Sequence, residues 1–144
     1  MAHEKSLDVL CNMCMVYTDD GKILVQMRHK KDWPGLTFPG GHVEKHETIE
    51  ASVRREMLEE TGLTLGEVEA CGFLEWPFDG MDHYVAFIYR CKDYSGSIRP
   101  SAEGEVFFID VDDIGKYPLS MDMDKILAIA LKGLEFNRKK TLLE

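Results

Sequence analysis

No stretch of the 144-residue chain approaches the ~20 consecutive apolar residues that a membrane-spanning helix requires. A membrane partner is therefore not expected. The opening residues MAHEKSLDVL carry acids and no long apolar core, so they do not read as a secretory signal, and a cytoplasmic location is the expectation. An excess of positive charge is also lacking: Lys and Arg total 17 against 26 Asp and Glu, a net charge of −9. A protein that tracks a nucleic-acid backbone needs a basic footprint, so the charge argues against a nucleic-acid polymer as partner. A small anionic ligand is not excluded, provided that cations supply positive charge locally. Cysteine is scarce, with four residues. Cys11 and Cys14 form a C-x-x-C inside the strand-like LCNMCMVY, where a spacing of three sends the two side chains to opposite faces. They are therefore poorly placed to share a metal or a disulfide. Cys71 and Cys91 lie in similar runs, and all four read as buried thiols.

There is no internal repeat, low-complexity tract or linker, so residues 1–144 read as one domain. The composition, 44% hydrophobic and 30% charged, is that of a soluble globular protein. A chain of this length buries roughly 68–70% of its unfolded surface, without help from disulfides or a structural metal.

Apolar runs predict strands over Leu7–Tyr17 and Lys22–Met27, joined as a hairpin by Asp19-Asp20-Gly21. A polar loop, Arg28–Leu36, precedes a short extended piece at Thr37-Phe38 and a turn at Pro39-Gly40-Gly41. A helix follows from its N-cap Thr48 to Thr61, with Gly62 placed as a left-handed C-cap. Strands are predicted over Val68–Trp76, His83–Cys91 and Glu105–Val111, the second apolar on both faces and so central in its sheet. A last helix, Asp122–Phe136, buries Ile126, Leu127, Ile129, Ala130 and Leu134. The basic residues Arg138, Lys139 and Lys140 then suit a solvated helix end. This order implies a mixed sheet covered by helices on both faces.

The first helix carries Glu56, Glu59 and Glu60 within five residues. At about 100° per residue, Glu60 lies about +40° and Glu59 about −60° from Glu56, beside apolar Val53 and Met57. Glu50 and Arg54 read as a simple i,i+4 surface pair. Glu56 and Glu60 are like charges at the same spacing, which repel, and more so beside apolar neighbours. A divalent cation removes the conflict, and hard oxygen ligands suit Mg²⁺, which takes its remaining ligands from water and substrate phosphates. Gly40 and Gly41 allow close backbone approach, with a carbonyl available as a further oxygen. Arg55, about 40° from Glu59, either orients a carboxylate or forms a surface pair.

The spacing is also a known one. Gly41, five residues, Glu47, seven residues, Arg55-Glu56, Met57, one residue, Glu59-Glu60, one residue and Gly62-Leu63 resembles the Nudix box without departure over 23 residues. The stretches WPGLTFPGGHVEKHET and EGEVFFIDV are similar to the MutT-type branch, the 8-oxo-dGTP diphosphatases of Gram-positive bacteria. The resemblance implies an α/β/α sandwich of the α+β class, a mixed sheet flanked by the box helix and a C-terminal helix. It implies that Glu56, Glu59 and Glu60 bind Mg²⁺ (or Mn²⁺), with the Gly40 carbonyl as a further ligand. Glu47 and Arg55 would orient those acids, and a loop acid, Glu103 ahead of Glu105, would complete the set. The expected reaction is attack of water on a purine nucleoside triphosphate, giving a monophosphate and pyrophosphate and so cleansing the nucleotide pool, with Glu56 ahead of Glu59 as the base.

Substrate contacts are less marked. Arg28 reads either as a phosphate ligand or as a solvated loop charge, with Lys30 and Lys31 behind it. Phe38, Trp33 and Trp76 read as stacking surfaces or as core, and Met13, Met15, Met121 and Met123 as core. Gly41 lies at the ligand. Asn12 suits a base contact because buried amides need partners, while Asp122 and Asp124 either read a base or cap the last helix. An ADP-ribose or nucleotide-sugar pyrophosphatase would use the same box, and Pro77 follows it at about the spacing of the ADP-ribose branch. A non-catalytic sensor would be expected to have lost one of the acids, and none is lost. The expected state is a monomer or homodimer acting on a small nucleotide.

Overall fold

The computed structural model describes residues 3–99, 101–102 and 104–137. The chain runs β1 (Asp8–Val16), β2 (Lys22–Arg28), β3 (Gly35–Thr37), β4 (Gly40–His42), α1 (Ile49–Thr61), β5 (Thr64–Leu65), β6 (Glu69–Trp76), β7 (His83–Cys91), β8 (Tyr94–Ser95) and β9 (Glu105–Asp110). A 3₁₀ turn (Val111–Lys116) and α2 (Met123–Leu131) complete it. One mixed sheet has the order β4-β1-β7-β6, with β1 and β7 parallel and the other pairs antiparallel. An antiparallel sheet has the order β3-β2-β9, and β5 pairs with β8. This is the mixed α+β architecture expected from the sequence, with β7 interior as anticipated.

Strand alternation builds two cores. Cys14, Val16 and Leu24 point toward α1 and pack with its Val53 and Met57. Met15, Tyr17, Ile23 and Val25 point the other way and pack with Met123, Ile126 and Ala130 of α2. Each such side chain contributes roughly 1.5–3 kcal/mol relative to exposure. The two helices thus cover opposite faces because β1 and β2 are apolar at both parities.

Four expectations change. First, β1 and β2 meet at a turn but share only the isolated bridge Tyr17–Ile23. Both edges of β1 are taken, by β4 and β7, so none is left for β2. Second, Gly40-Gly41 is not only a turn: Gly40–His42 forms an edge strand antiparallel to β1. Third, α2 stops at Leu131, where Gly133 takes the left-handed φ of 73°. Leu134 and Phe136 still pack on the α2-side core as irregular chain. The basic cluster 138–140 lies outside the described residues. Fourth, Met121 is exposed, whereas Met15 and Met123 are core and Met13 packs at its edge.

Cys11, Cys14 and Cys91 are buried free thiols, with Cys11 and Cys14 on opposite faces; Cys71, at a bulge in β6, is half-buried. No helix among the described residues is long and apolar enough to cross a membrane.

Candidate active site

The helix α1 forms where its end signals place it. Thr48 is extended and its Oγ1 accepts from the Ala51 amide at 3.0 Å. Gly62 ends the helix at φ 83°, its amide bonded to the Leu58 carbonyl at 3.0 Å. That fixes the rotation of the helix over β1 and β4, and hence where each acid points.

The backbone of β4 explains the rest. Pro39 and Val43 exchange hydrogen bonds with β1, through Cys14 N–H to the Pro39 carbonyl and Val43 N–H to the Leu10 carbonyl. In an antiparallel pair the intervening alternate residues turn their N–H and C=O to the opposite edge. Gly40 and His42 do so, toward α1. The Gly40 amide donates to Glu60 Oε2 at 3.0 Å, and the His42 carbonyl accepts from Arg55 Nη2 at 2.9 Å. The Gly40 carbonyl therefore lies on the same outer edge as the acids. Gly41 leaves the Glu56 carboxylate its place: a Cβ there would fall 2.5 and 2.7 Å from the carboxylate oxygens, and the side chain would have to move.

Arg55 is the hub. It grips Glu47 at two points, Nε to Oε2 at 2.7 Å and Nη2 to Oε1 at 3.0 Å, and Nη1 donates to Glu56 Oε1 at 2.9 Å and Glu59 Oε2 at 3.3 Å. The Arg55 hydrogen bonds, with a further one from the Glu44 amide, draw the Glu47 carboxyl down to about 2. Glu47 in turn pushes the Arg55 pKa up, against a smaller opposing effect of burial. Part of the repulsion among the acids is thus answered by Arg55 and by the Gly40 amide. The sequence reading gives that task to a cation, and leaves Arg55 either as a holder of one carboxylate or as a surface pair.

The three box acids do not share one environment. Glu60 is buried, 6% exposed. The Glu56 side chain is 15% exposed and that of Glu59 is 59% exposed. Among the described residues no three His, Cys, Asp or Glu side chains converge as a metal cluster. Glu56, Glu60 and the Gly40 carbonyl nevertheless offer hard oxygens along one edge, with glycine leaving the space beside them, and this set fits Mg²⁺ or Mn²⁺. Glu59 is turned outward onto Arg55. Glu103 lies outside the described residues, and Glu105 is exposed at the start of β9, opposite Met27.

Aromatic rings from separate parts of the chain form a cluster that the sequence reading did not assemble. Trp33, from the β2–β3 loop, meets Trp76 edge-on with ring centroids 5.4 Å apart. Trp76 meets Tyr84 at 6.4 Å, and Phe78 stacks on Tyr84 at 5.0 Å. The Tyr84 hydroxyl lies beside the Cys11 thiol, and burial pushes the pKa of both groups up. The Glu56 charge adds to the shift at Cys11, and those of Asp32 and Arg28 act on Tyr84. Arg28 pairs with Asp32 at 3.4 Å. Asp122, at the start of α2, joins the cluster, its Oδ2 accepting from Trp76 Nε1 at 2.7 Å. Asp124 is exposed in the first turn of α2.

Two expected substrate contacts are placed elsewhere. Phe38, 2% exposed, is core, because alternation along β3 aims Leu36 and Phe38 at the α2 side. Asn12 faces α1, its Nδ2 donating to Ser52 Oγ at 2.9 Å. Its parity on β1 matches Cys14, not Cys11. The Trp33–Trp76–Tyr84–Asp122 grouping joins four separate elements, and no short-range pattern announces it.

Comparison with known proteins agrees with this geometry. The family model described as NUDIX domain matches residues 11–129. The uncharacterized Nudix hydrolase YvcI of Bacillus subtilis is 31% identical over 125 residues, covering 83% of this chain and 77% of YvcI. An oxidized purine nucleoside triphosphate hydrolase of Danio rerio is 33% identical over 99 residues, 65% of this chain and 62% of its own. An ADP-ribose pyrophosphatase of Methanocaldococcus jannaschii is 32% identical over 111 residues, 75% and 64% respectively. The crystal structure of a MutT NUDIX hydrolase from Burkholderia pseudomallei superposes with a TM-score of 0.72 at 25% identity, covering 83% of this chain and 95% of that one. With the box helix, its Arg55 hub and a family match over most of its length, the chain belongs to the Nudix family, as a hydrolase of pyrophosphate bonds.

Proposed function

We propose that the protein hydrolyses a purine nucleoside triphosphate, 8-oxo-dGTP or a related nucleotide, to the monophosphate and pyrophosphate, as a nucleotide-pool cleansing enzyme dependent on Mg²⁺. The observation that carries this reading is the carboxylate edge of α1 held by Arg55 and the Gly40 amide, which suits metal-bound phosphates. The chain also groups Trp33, Trp76 and Tyr84, rings suited to stacking on a flat base. Glu56, Glu60 and the Gly40 carbonyl would hold the ion, with Glu59 and Glu103 as further oxygens. When bound, the ion neutralises phosphate charge and lowers the pKa of a water.

The chain's own residues do the remainder. Arg55 holds Glu56 through Nη1 while Glu47 locks Arg55, so the Glu56 carboxylate is fixed before substrate arrives. That pre-ordering lets Glu56 take the proton from the attacking water without first reorganising. Arg28, partly shielded beside Asp32, contributes positive charge to the triphosphate. Trp33 and Trp76 flank the base.

An ADP-ribose pyrophosphatase is the second reading, supported by the archaeal relative and by Pro77 directly after β6. One assay separates the two. The protein is incubated with Mg²⁺ and, separately, 8-oxo-dGTP, dGTP, ADP-ribose, diadenosine polyphosphates and nucleotide sugars, and the products are identified. Pyrophosphate with a monophosphate from a purine triphosphate supports the first reading, whereas AMP with ribose phosphate from ADP-ribose replaces it with the second.

A further inference from the structure

Beside the acidic edge of α1, one buried oxygen lacks a hydrogen-bond donor among the described residues: Oδ1 of Asn12. Asn12, in the middle of β1, is 2% exposed, and its Nδ2 lies 2.9 Å from Oγ of the buried Ser52. The roles in that contact are fixed. A hydroxyl has a single proton to give, and Ser52 gives its own to the Ile49 carbonyl at the start of the helix. Ser52 must therefore accept, so the amide turns its NH₂ end to Ser52 and its oxygen away. Buried acceptors are otherwise paired, because leaving one without a donor is costly.

Three relationships place Asn12 at the edge suited to a metal. Its partner across the β1–β4 ladder is Gly41. Side chains directly opposite in such a ladder share one face, with Cβ positions about 4.5–5.5 Å apart. The space that a Gly41 side chain would take is filled by the Glu56 carboxylate, whose oxygens lie 2.5 and 2.7 Å from such a Cβ. Ser52 and Glu56, in turn, are one helical turn apart on the same side of α1. Asn12 therefore sits on the sheet beneath Ser52, next to the place where the Glu56 carboxylate rests.

An amide oxygen and an ionised carboxylate are both acceptors and offer each other nothing. A hydrated divalent cation suits the pair, because Mg²⁺ keeps several of its waters and these turn their hydrogens outward. We infer that Asn12 is a positioning residue of the metal site: its Oδ1 accepts from a water in the hydration shell of the divalent ion that Glu56 would hold, and Ser52 keeps the amide in that orientation. This rests on the metal-dependent part of the proposed function and on no particular nucleotide. If Asn12 served only to bond Ser52, its replacement would lower stability and leave metal affinity unchanged.

The test is a titration of nucleotide-free protein with Mn²⁺, the free ion read by electron paramagnetic resonance. Asn12→Leu keeps the volume and removes the oxygen, and Kd should rise about tenfold. Asn12→Asp keeps an acceptor in that place and adds charge, so its Kd should match the wild-type value or fall below it. Ser52→Ala takes no oxygen from Asn12 but frees the amide to turn, and Kd should rise about threefold. Kd values unmoved in both Asn12→Leu and Ser52→Ala overturn the inference. Should Asn12→Leu fail to fold, Ser52→Ala, a mild change inside a helix, decides alone. Absence of Mn²⁺ uptake by the wild type overturns this inference together with the metal reading. Affinities shifted as expected, with no nucleotide hydrolysed, would overturn the hydrolytic reading and leave this one standing.

Discussion

The Arg55 guanidinium and the Glu47 carboxylate, eight residues apart, face each other as a two-point fork with contacts of 2.7 and 3.0 Å. Glu47 itself belongs to the loop before α1, so the fork ties that loop to the helix. It also turns Nη1 toward Glu56, so the geometry of one ion pair decides where the neighbouring carboxylate rests.

Lysine cannot reproduce that fork, because an ammonium is a point charge without a planar pair of donors. Arg55→Lys should lower kcat about 10- to 100-fold and weaken Mn²⁺ binding, read by electron paramagnetic resonance, while circular dichroism stays native.

Removing a charge from the acids tests the metal assignment directly. Glu56→Gln or Glu60→Gln should each cost at least ~10²-fold in turnover with the fold retained. Near-full activity of either variant would refute the assignment.

Gly41→Ala probes the space rather than the charge. The added methyl would fall 2.5 Å from a Glu56 oxygen, so Glu56 must leave its place on Arg55. Activity should fall at least about tenfold, with the loss in kcat rather than in thermal stability.

His83 reports on pH. Its ring nitrogen is 2.7 Å from Glu75 Oε2, and that bond, then the charges of Glu75, Asp8 and Asp82, raise its pKa above the ordinary 6.5. A raised folded-state value means that the protonated form stabilises the fold. The contribution is complete below pH 6.5 and disappears as pH rises through the higher folded value. A chemical-shift titration should place the His83 midpoint above 6.5, and Glu75→Gln should bring it down toward that value.

Arg90 anchors the far end of α2. It donates to the Ala130 and Lys132 carbonyls at 3.1 and 2.7 Å while paired with Glu69 at 2.8 Å, and it is buried. Arg90→Met should destabilise the protein by about 2 kcal/mol, measured by urea unfolding, because charged hydrogen bonds to helix-end carbonyls are lost.

Much of the site was legible in the sequence because it is local. Thr48 and Gly62 mark the helix by capping chemistry that acts within four residues, and the spacing of Glu56, Glu59 and Glu60 fixes their sector on it. The difference in their exposure was not legible. A helical wheel gives angle and not depth, so it could not tell that Glu60 reaches the Gly40 amide while Glu59 turns out onto Arg55. The expected hairpin fails for a comparable reason. Asp19-Asp20-Gly21 does make the turn, but a strand has two edges, and those of β1 are occupied by β4 and by β7, which lies some seventy residues along the chain.

By itself the sequence determined the strands' alternation, the helix ends and the acids along one helix edge, since these depend on side-chain period and hydrogen bonds between near neighbours. Only the tertiary structure decided that Phe38 is core, that Asn12 bonds Ser52 of α1, and that Trp33, Trp76, Tyr84 and Asp122 come into contact as one cluster. Those outcomes depend on which strand edges and faces are left over once the sheets have paired. Pairing of that kind is settled by packing across the whole chain and leaves no short-range trace.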